Sequence, residues 1–137
     1  MIGLARIRKN RSNRDKLLSK VWKLLSELVR RKSKGCYTCG KWYEWKLLDA
    51  GHFRHGKWKA TYLDERNVRG QCVACNKWRS GNLGIYGVKL VKEIGQDEVD
   101  ELIQESYATK MWKVKELEEL EIYFKEKLRE LGDKGLY

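Results

Sequence analysis

The chain has 137 residues, of which 42% are hydrophobic and 36% charged, and its formal net charge is +11. It contains no run near the ~20 apolar residues that cross a bilayer, which excludes a transmembrane protein. We expect no signal peptide in the first 31 residues, because they lack a continuous apolar region. Six tryptophans and seven tyrosines argue against a disordered chain.

The positive charge is concentrated in the N-terminal part and the centre of the chain. Residues 1–35 carry 12 basic and 2 acidic side chains, and residues 36–92 carry 11 and 4. This asymmetry favours a polyanionic partner such as DNA, since each neutralised phosphate releases counterions. A solubilising surface is the alternative. A membrane is not expected as a partner, because no lipid anchor follows the basic segment.

The N-terminal segment is predicted to be a basic arm followed by a helix. The residues of the arm predicted to bind DNA are Arg6, Arg8, Lys9, Arg11 and Arg14. Ser12 is expected to be the N-cap of the helix. Apolar residues at three- and four-residue steps from Leu17 to Leu28 predict that one helix face is buried. Gly35 is expected to end the helix.

The helical period is lost between the first and the last cysteine. Aromatic residues in the segment 42–48 and alternation in the segment 57–62 predict two short strands. An amphipathic helix is predicted from Met111 to Leu131, packed on its own domain or on a second copy. The predicted fold is α+β and mainly helical, with regions 1–35, 36–106 and 107–137.

All four cysteines fall in two C-x-x-C pairs, Cys36/Cys39 and Cys72/Cys75. Thiolates at this spacing suit tetrahedral zinc, because one turn can present both sulfurs to the metal. Disulfides are the alternative, but a chain without a secretion signal is expected in a reducing compartment. A site closed by four sulfurs is structural, so the chemistry is expected from other residues.

Polar residues near the cysteine pairs indicate a second, catalytic site. Asp49 offers a carboxylate oxygen and Asn76 an amide oxygen, which leave the other positions of a Mg²⁺ ion to water and phosphate. His52 can then act as a general base near neutral pH. Taken singly, each of these residues is more often a surface or packing residue than a catalytic one. Their placement relative to both cysteine pairs favours the joint interpretation.

Together with Asn67, these residues resemble the HNH endonucleases, in the variant whose third position is Asn. The layout is similar to that of phage endonuclease VII. A wider region, from about Cys36 to Ser106, resembles the NinG family of phage recombination proteins, also called Rap. The strings that carry this second resemblance are Ala50–Phe53, Asn67, Gln71–Asn76, Ser80–Leu83 and Tyr86.

The resemblance implies a zinc-braced ββα-metal (HNH) core with helices flanking it at both ends. A two-stranded hairpin would carry His52, the general base. Asp49 and Asn76 would bind the catalytic Mg²⁺ or Mn²⁺. Asn67 would belong to the catalytic residues with His52, by bracing the loop that bears the histidine. Gly51 departs from the family pattern, because many HNH proteins carry a metal-binding Asp there. Asp49 therefore has to supply that carboxylate.

Further candidates follow these positions in the sequence. Lys77 and Arg79, on the metal-bearing helix, are predicted to hold a flanking phosphate of the DNA. His55 is a possible second ligand, but an ordinary polar residue is the simpler interpretation. Trp58 and Trp78 are able to stack on unpaired bases, although packing in the core is the expected role.

The expected function is that of a metal-dependent endonuclease that cleaves branched DNA, such as Holliday junctions or D-loops, in phage recombination. Resolution of a four-way junction requires two symmetric cuts, so we expect a homodimer. One alternative is an HNH nicking enzyme that acts on linear duplex in phage packaging. Another is a non-catalytic, zinc-stabilised DNA-binding protein. The expected location is the cytoplasm, of a bacterial host if the protein is phage-encoded.

Overall fold

A computed structural model describes the backbone of residues 2–133 and the side chains of residues 12–132. The elements in chain order are α1 (Ile2–Lys32), a 3₁₀ helix (Trp45–Leu47), β1 (Asp49–His52), a second 3₁₀ helix (Glu65–Asn67), β2 (Val68–Gln71), a π-helix (Ala74–Trp78), α2 (Leu83–Ile94), α3 (Gln96–Glu105) and α4 (Val114–Asp133). The described part of the chain is mainly helical with one antiparallel hairpin, which confirms the predicted α+β class. None of its helices is both long and apolar enough to cross a bilayer.

The chain divides into two compact units. The first comprises Met1–Leu25 and Met111–Tyr137, and the second comprises Ser26–Lys110. The predicted region 36–106 therefore falls within the second unit, which contains all four cysteines.

In the first unit, α1 and α4 bury apolar side chains at helical spacing. Within this unit, the buried residues of the two helices are Leu18, Val21, Leu25, Leu117 and Phe124. The Lys20 Nζ and Glu121 Oε2 atoms form an ion pair of 2.9 Å between the helices. The apolar stripe of α4 thus packs at least partly within its own chain.

In the second unit, β1 and β2 pair so that Asp49 lies opposite Gln71 and His52 opposite Val68. The core cluster on α2 and α3 consists of Tyr86, Leu90, Val99 and Leu102. Phe53, the residue after β1, packs against this cluster. The two helices therefore support the hairpin.

Arg66 connects the segment before β2 to α3. Its guanidinium donates hydrogen bonds to Asp64 at 2.7 Å, Glu98 at 3.0 Å and Glu105 at 2.6 Å. Because these partners lie on α3 and in the loop before the second 3₁₀ helix, the arginine holds the start of β2 in place.

Several details of the predicted secondary structure are wrong. Helix α1 begins at Ile2, so Ser12 lies inside the helix and is not its N-cap. The segment predicted as a separate arm is therefore helical in its backbone. Helix α4 begins at Val114 and not at Met111.

Both predicted strands are also wrong. The segment 42–48 contains a 3₁₀ helix, and the guanidinium of Arg31 lies 4.4 Å from the ring centre of Trp45. The segment 57–62 forms turns with an isolated bridge between Lys59 and Thr109. Within the described residues, neither segment pairs with a strand of the sheet.

Candidate functional site

The sulfur atoms of Cys36, Cys39, Cys72 and Cys75 lie within 4.8 Å of one another. The Sγ atoms of Cys39 and Cys72 are 3.9 Å apart. Sulfurs at ~2.3 Å from a tetrahedral zinc are ~3.8 Å apart, whereas a disulfide requires ~2.05 Å. All four cysteines are free. The cluster can therefore hold one zinc ion, as the two C-x-x-C pairs predict.

A tight turn and the start of the π-helix present these sulfurs. In the first, the amide of Gly40 donates to the carbonyl of Cys36 at 3.0 Å, and the amide of Cys36 donates to the carbonyl of Lys41 at 2.9 Å. Gly40 has a φ of +76°, which glycine adopts without strain. In the second, Cys72 directly follows β2 and Cys75 lies in the π-helix.

The four thiols do not ionise equally. Burial raises the pKa of Cys36, but hydrogen bonds from the backbone of Cys39 and the hydroxyl of Thr38 outweigh burial and lower it to about 6. Burial and the neighbouring sulfurs of Cys75 and Cys36 raise the pKa of Cys72 to about 11. Four thiolates can coexist in this space only when a cation shares their charge, which fits a zinc site.

Asp49 and Asn76 are in direct contact. The Nδ2 atom of Asn76 donates to Oδ2 of Asp49 at 3.1 Å. Because Asn76 directly follows Cys75, the cysteine cluster fixes the position of its carboxamide. A carboxylate oxygen and an amide oxygen held together at the start of β1 are a donor set that suits Mg²⁺ or Mn²⁺.

Gly51 leaves no room for the acid that many HNH proteins carry immediately before the histidine. A Cβ atom at this position would lie 1.9 Å from Oε1 of Gln71 and 3.1 Å from Oδ1 of Asn76. Residues 49 and 51 lie on the same face of β1. Asp49 is therefore the residue of β1 that supplies a carboxylate on that face.

His52 ends β1 and is held by Tyr62. Its Nε2 atom lies 2.9 Å from the carbonyl oxygen of Tyr62, and the two rings stack with centroids 5.0 Å apart. A carbonyl can only accept, so Nε2 carries the proton and Nδ1 is the nitrogen that can take up another. Burial lowers the pKa of His52 below its usual value, and the nearby His55 lowers it further. The imidazole is therefore neutral at pH 7.

Asn67 connects two parts of the loop that follows His52. Its buried carboxamide accepts from the amide of Arg54 at 2.7 Å and donates to the carbonyls of Arg54 at 2.8 Å and Thr61 at 3.0 Å. Residue 61 directly precedes Tyr62, whose carbonyl holds the histidine. These contacts are those of a brace for the loop, while a catalytic role for Asn67 stays a prediction.

Two residues that support the site were not singled out from the sequence as site residues. Tyr62 positions the histidine, and the hydroxyl of Tyr86 donates to the carbonyl of Gly51 at 2.7 Å. Both contacts involve backbone atoms, which leave no pattern in the sequence. Tyr86 entered only as part of the string that carries the family resemblance.

The predicted DNA-binding residues are placed only in part. Lys77 is exposed, and Arg79 is exposed while donating to Sγ of Cys75 at 3.4 Å. The guanidinium of Arg14 donates to Asp15 at 3.3 Å and lies 2.9 Å from the sulfur of Met111. The side chains that lie outside the described residues are those of Arg6, Arg8, Lys9 and Arg11.

The expectation that Trp78 and Trp58 pack in the core is wrong. Trp78 is 81% exposed and Trp58 is 40% exposed. The π-helix turns Cys75 inward, which leaves Trp78 on the outer side between two basic residues. His55 lies 6.4 Å from His52, measured between ring centres, and is exposed.

Comparisons with known proteins agree on one family. The family model described as Bacteriophage Lambda NinG protein matches residues 4–134. The chain is similar to Protein ninG of Escherichia phage 933W, with 38% identity over 99 residues that cover 70% of this chain and 47% of the relative. For Protein ninG of Escherichia phage lambda, the identity is 36% over 99 residues, with the same coverage.

Protein ninG of Salmonella phage P22 is 37% identical over 101 residues, which cover 72% of this chain and 48% of the relative. The chain thus spans about half the length of the curated relatives that it matches. No solved structure matches the chain.

We predict that the purified protein contains one zinc per chain and that Cys75→Ser loses it. Removal of the ion leaves buried thiols without their common partner, so the second unit should melt at a lower temperature. Elemental analysis and thermal denaturation by circular dichroism check both results. A metal-free protein with unchanged melting would contradict the zinc site.

We predict that Asn67→Ala lowers the free energy of unfolding by about 3 kcal/mol, because buried backbone groups of Arg54 and Thr61 lose their partner. Urea denaturation measures the change. Asn13→Ala, at an exposed position of α1, is the matched control and should change stability by less than about 0.5 kcal/mol. Equal effects of the two variants would show that the brace is unimportant.

Proposed function

The chain belongs to the NinG family of phage proteins, and on that basis we propose that it is a metal-dependent DNA endonuclease of the HNH type. The observation that carries this proposal is the orientation of His52. Its Nε2–H donates to the carbonyl of Tyr62. His52 lies on the same short strand as Asp49, which contacts Asn76. A neutral imidazole of fixed orientation, on the strand that also carries an oxygen donor for a cation, suits hydrolysis of a phosphodiester.

His52 acts as the general base in the proposed mechanism. Nδ1 takes a proton from a water molecule as the water oxygen attacks phosphorus. The bond between phosphorus and the 3′ oxygen breaks, and the 3′ oxygen takes a proton from solvent. The proton taken by Nδ1 returns to solvent, which restores the neutral ring. The lowered pKa of His52 favours this return.

Asp49 and Asn76 would hold the divalent cation in this mechanism. A bound Mg²⁺ or Mn²⁺ supplies positive charge that polarises the phosphate and stabilises the leaving oxygen. The cysteine cluster, with its zinc, would set the position of Asn76 against β1 and take no part in the chemistry. Asn67 and Tyr62 would keep the imidazole in the orientation described above.

Branched DNA is the proposed substrate. The exposed Trp78 between Lys77 and Arg79 presents an aromatic ring next to positive charge, which suits an unpaired base flanked by phosphates. Cleavage of a four-way junction requires two cuts, so we propose that the protein acts as a homodimer. The net charge of +11 and the cysteine cluster equally suit a DNA-binding protein without catalysis, which the next experiment distinguishes.

We predict that the protein nicks four-way junctions with Mg²⁺ and that His52→Ala reduces the rate by at least 100-fold, since it removes the base. Gel assays on junctions and on linear duplex of equal length, with Mg²⁺ or EDTA, measure this. His55→Ala, which changes the other of the two histidines, should retain the rate within about threefold. Binding without metal-dependent product would support a non-catalytic protein, and equal cleavage of linear duplex would support a nicking enzyme.

We predict that the nicking rate is independent of pH near 7 and falls only below pH 6.5. Because the pKa of His52 is lowered, its ring becomes protonated only at a lower pH than the ring of an ordinary histidine. Once protonated, the ring cannot act as a base. Rate profiles under single-turnover conditions test this. A rate that falls as soon as the pH drops below 7.5 would contradict the assignment of His52 as the base.

A further inference from the structure

Gln71 at the end of β2 has one half of its carboxamide bonded and the other half unpaired. The side chain is 0% exposed. Its Nε2 atom donates to the carbonyl oxygen of Gly81 at 2.8 Å and to the hydroxyl of Thr38 at 3.1 Å. Its Oε1 atom accepts no hydrogen bond from any residue that the structure describes.

The orientation of this carboxamide is fixed by its partners. The carbonyl of Gly81 can only accept, so exchange of the nitrogen and the oxygen of Gln71 would bring two acceptors together at 2.8 Å. The oxygen must therefore be the atom that points away from Gly81 and Thr38. A buried acceptor without a partner is energetically unfavourable, so a donor or a cation is expected to meet it.

The unpaired oxygen points at the face of β1 that carries Asp49. Gln71 is the cross-strand partner of Asp49, which puts both side chains on the same face of the hairpin. Oε1 of Gln71 lies 1.9 Å, and Oδ1 of Asn76 lies 3.1 Å, from the point where a Cβ of Gly51 would be. Oxygens from two carboxamides therefore approach the same point on the face of β1 that carries Asp49.

We propose that Oε1 of Gln71 is a third protein ligand of the divalent cation, beside Asp49 and Asn76. For the identity of this cation, the inference rests on the proposed function. Three oxygen donors from one carboxylate and two amides match the preference of Mg²⁺ and Mn²⁺ and leave positions for water and phosphate. The space that lacks a side chain at Gly51 is the space that Gln71 fills. Gln71 thus supplies an oxygen donor where the acid before the histidine is missing.

The contact with Thr38 gives this ligand a fixed position. Thr38 lies between the cysteines of the first pair, and its hydroxyl is also 3.4 Å from Sγ of Cys36. Gln71 itself precedes Cys72, the first cysteine of the second pair. The same segments that present sulfur to the zinc site therefore present an amide oxygen to the cation site.

The test is the affinity of the zinc-loaded protein for Mn²⁺, measured by the electron paramagnetic resonance signal of free Mn²⁺. Gln71→Met removes the oxygen at similar side-chain length and should weaken binding at least tenfold. Asp97→Asn removes an exposed carboxylate of α3 and is the control for general electrostatics, with unchanged affinity expected.

Native affinity in Gln71→Met, with native zinc content, would overturn the proposal. If the variants do not fold, a measurement on the native chain still tests the proposal. On titration with Mg²⁺, the ¹³Cδ resonance of Gln71 should shift with the same midpoint as the side-chain carbons of Asp49 and Asn76, and an unmoved resonance would also overturn it. Binding through Gln71 without cleavage of any DNA would instead overturn only the proposed function.

Discussion

Four sulfur atoms within 4.8 Å of one another impose the strongest constraint on the second unit. A zinc ion bound to them would tie the turn after α1 to the turn after β2, and more than thirty residues separate the two cysteine pairs. This connection would fix the positions of the residues next to the cysteines, which are Thr38, Gln71 and Asn76. The hairpin is short and has little apolar surface of its own, so the cysteine cluster and the helices α2 and α3 determine where its polar side chains point.

Spacing and periodicity were sufficient to predict part of this structure. The C-x-x-C pairs predict the sulfur cluster because ligand spacing is a local property of the chain. The buried face of α1 follows from its 3.6-residue period. Asp49 and Asn76 were paired from their positions relative to the cysteines, and they are in contact.

The remaining features depend on contacts that the sequence does not encode locally. The strand β1 reads Asp-Ala-Gly-His, which has neither β-branched residues nor apolar alternation. The aromatic segment 42–48 has stronger strand propensity but no partner to pair with. The roles of Tyr62 and Gln71 depend on a backbone carbonyl and on the register of the hairpin, so they become visible only in three dimensions.

The π-helix at Ala74–Trp78 has a consequence for how this region can vary in length. Loss of one residue would convert the wide turn into an ordinary α-helical one and rotate every later side chain by about 100°. Asn82, whose Nδ2 atom lies 3.8 Å from Sγ of Cys75, would then change its position relative to the sulfurs. Insertions and deletions among natural variants are therefore expected in the exposed stretch around Gly56, where no such rotation is transmitted.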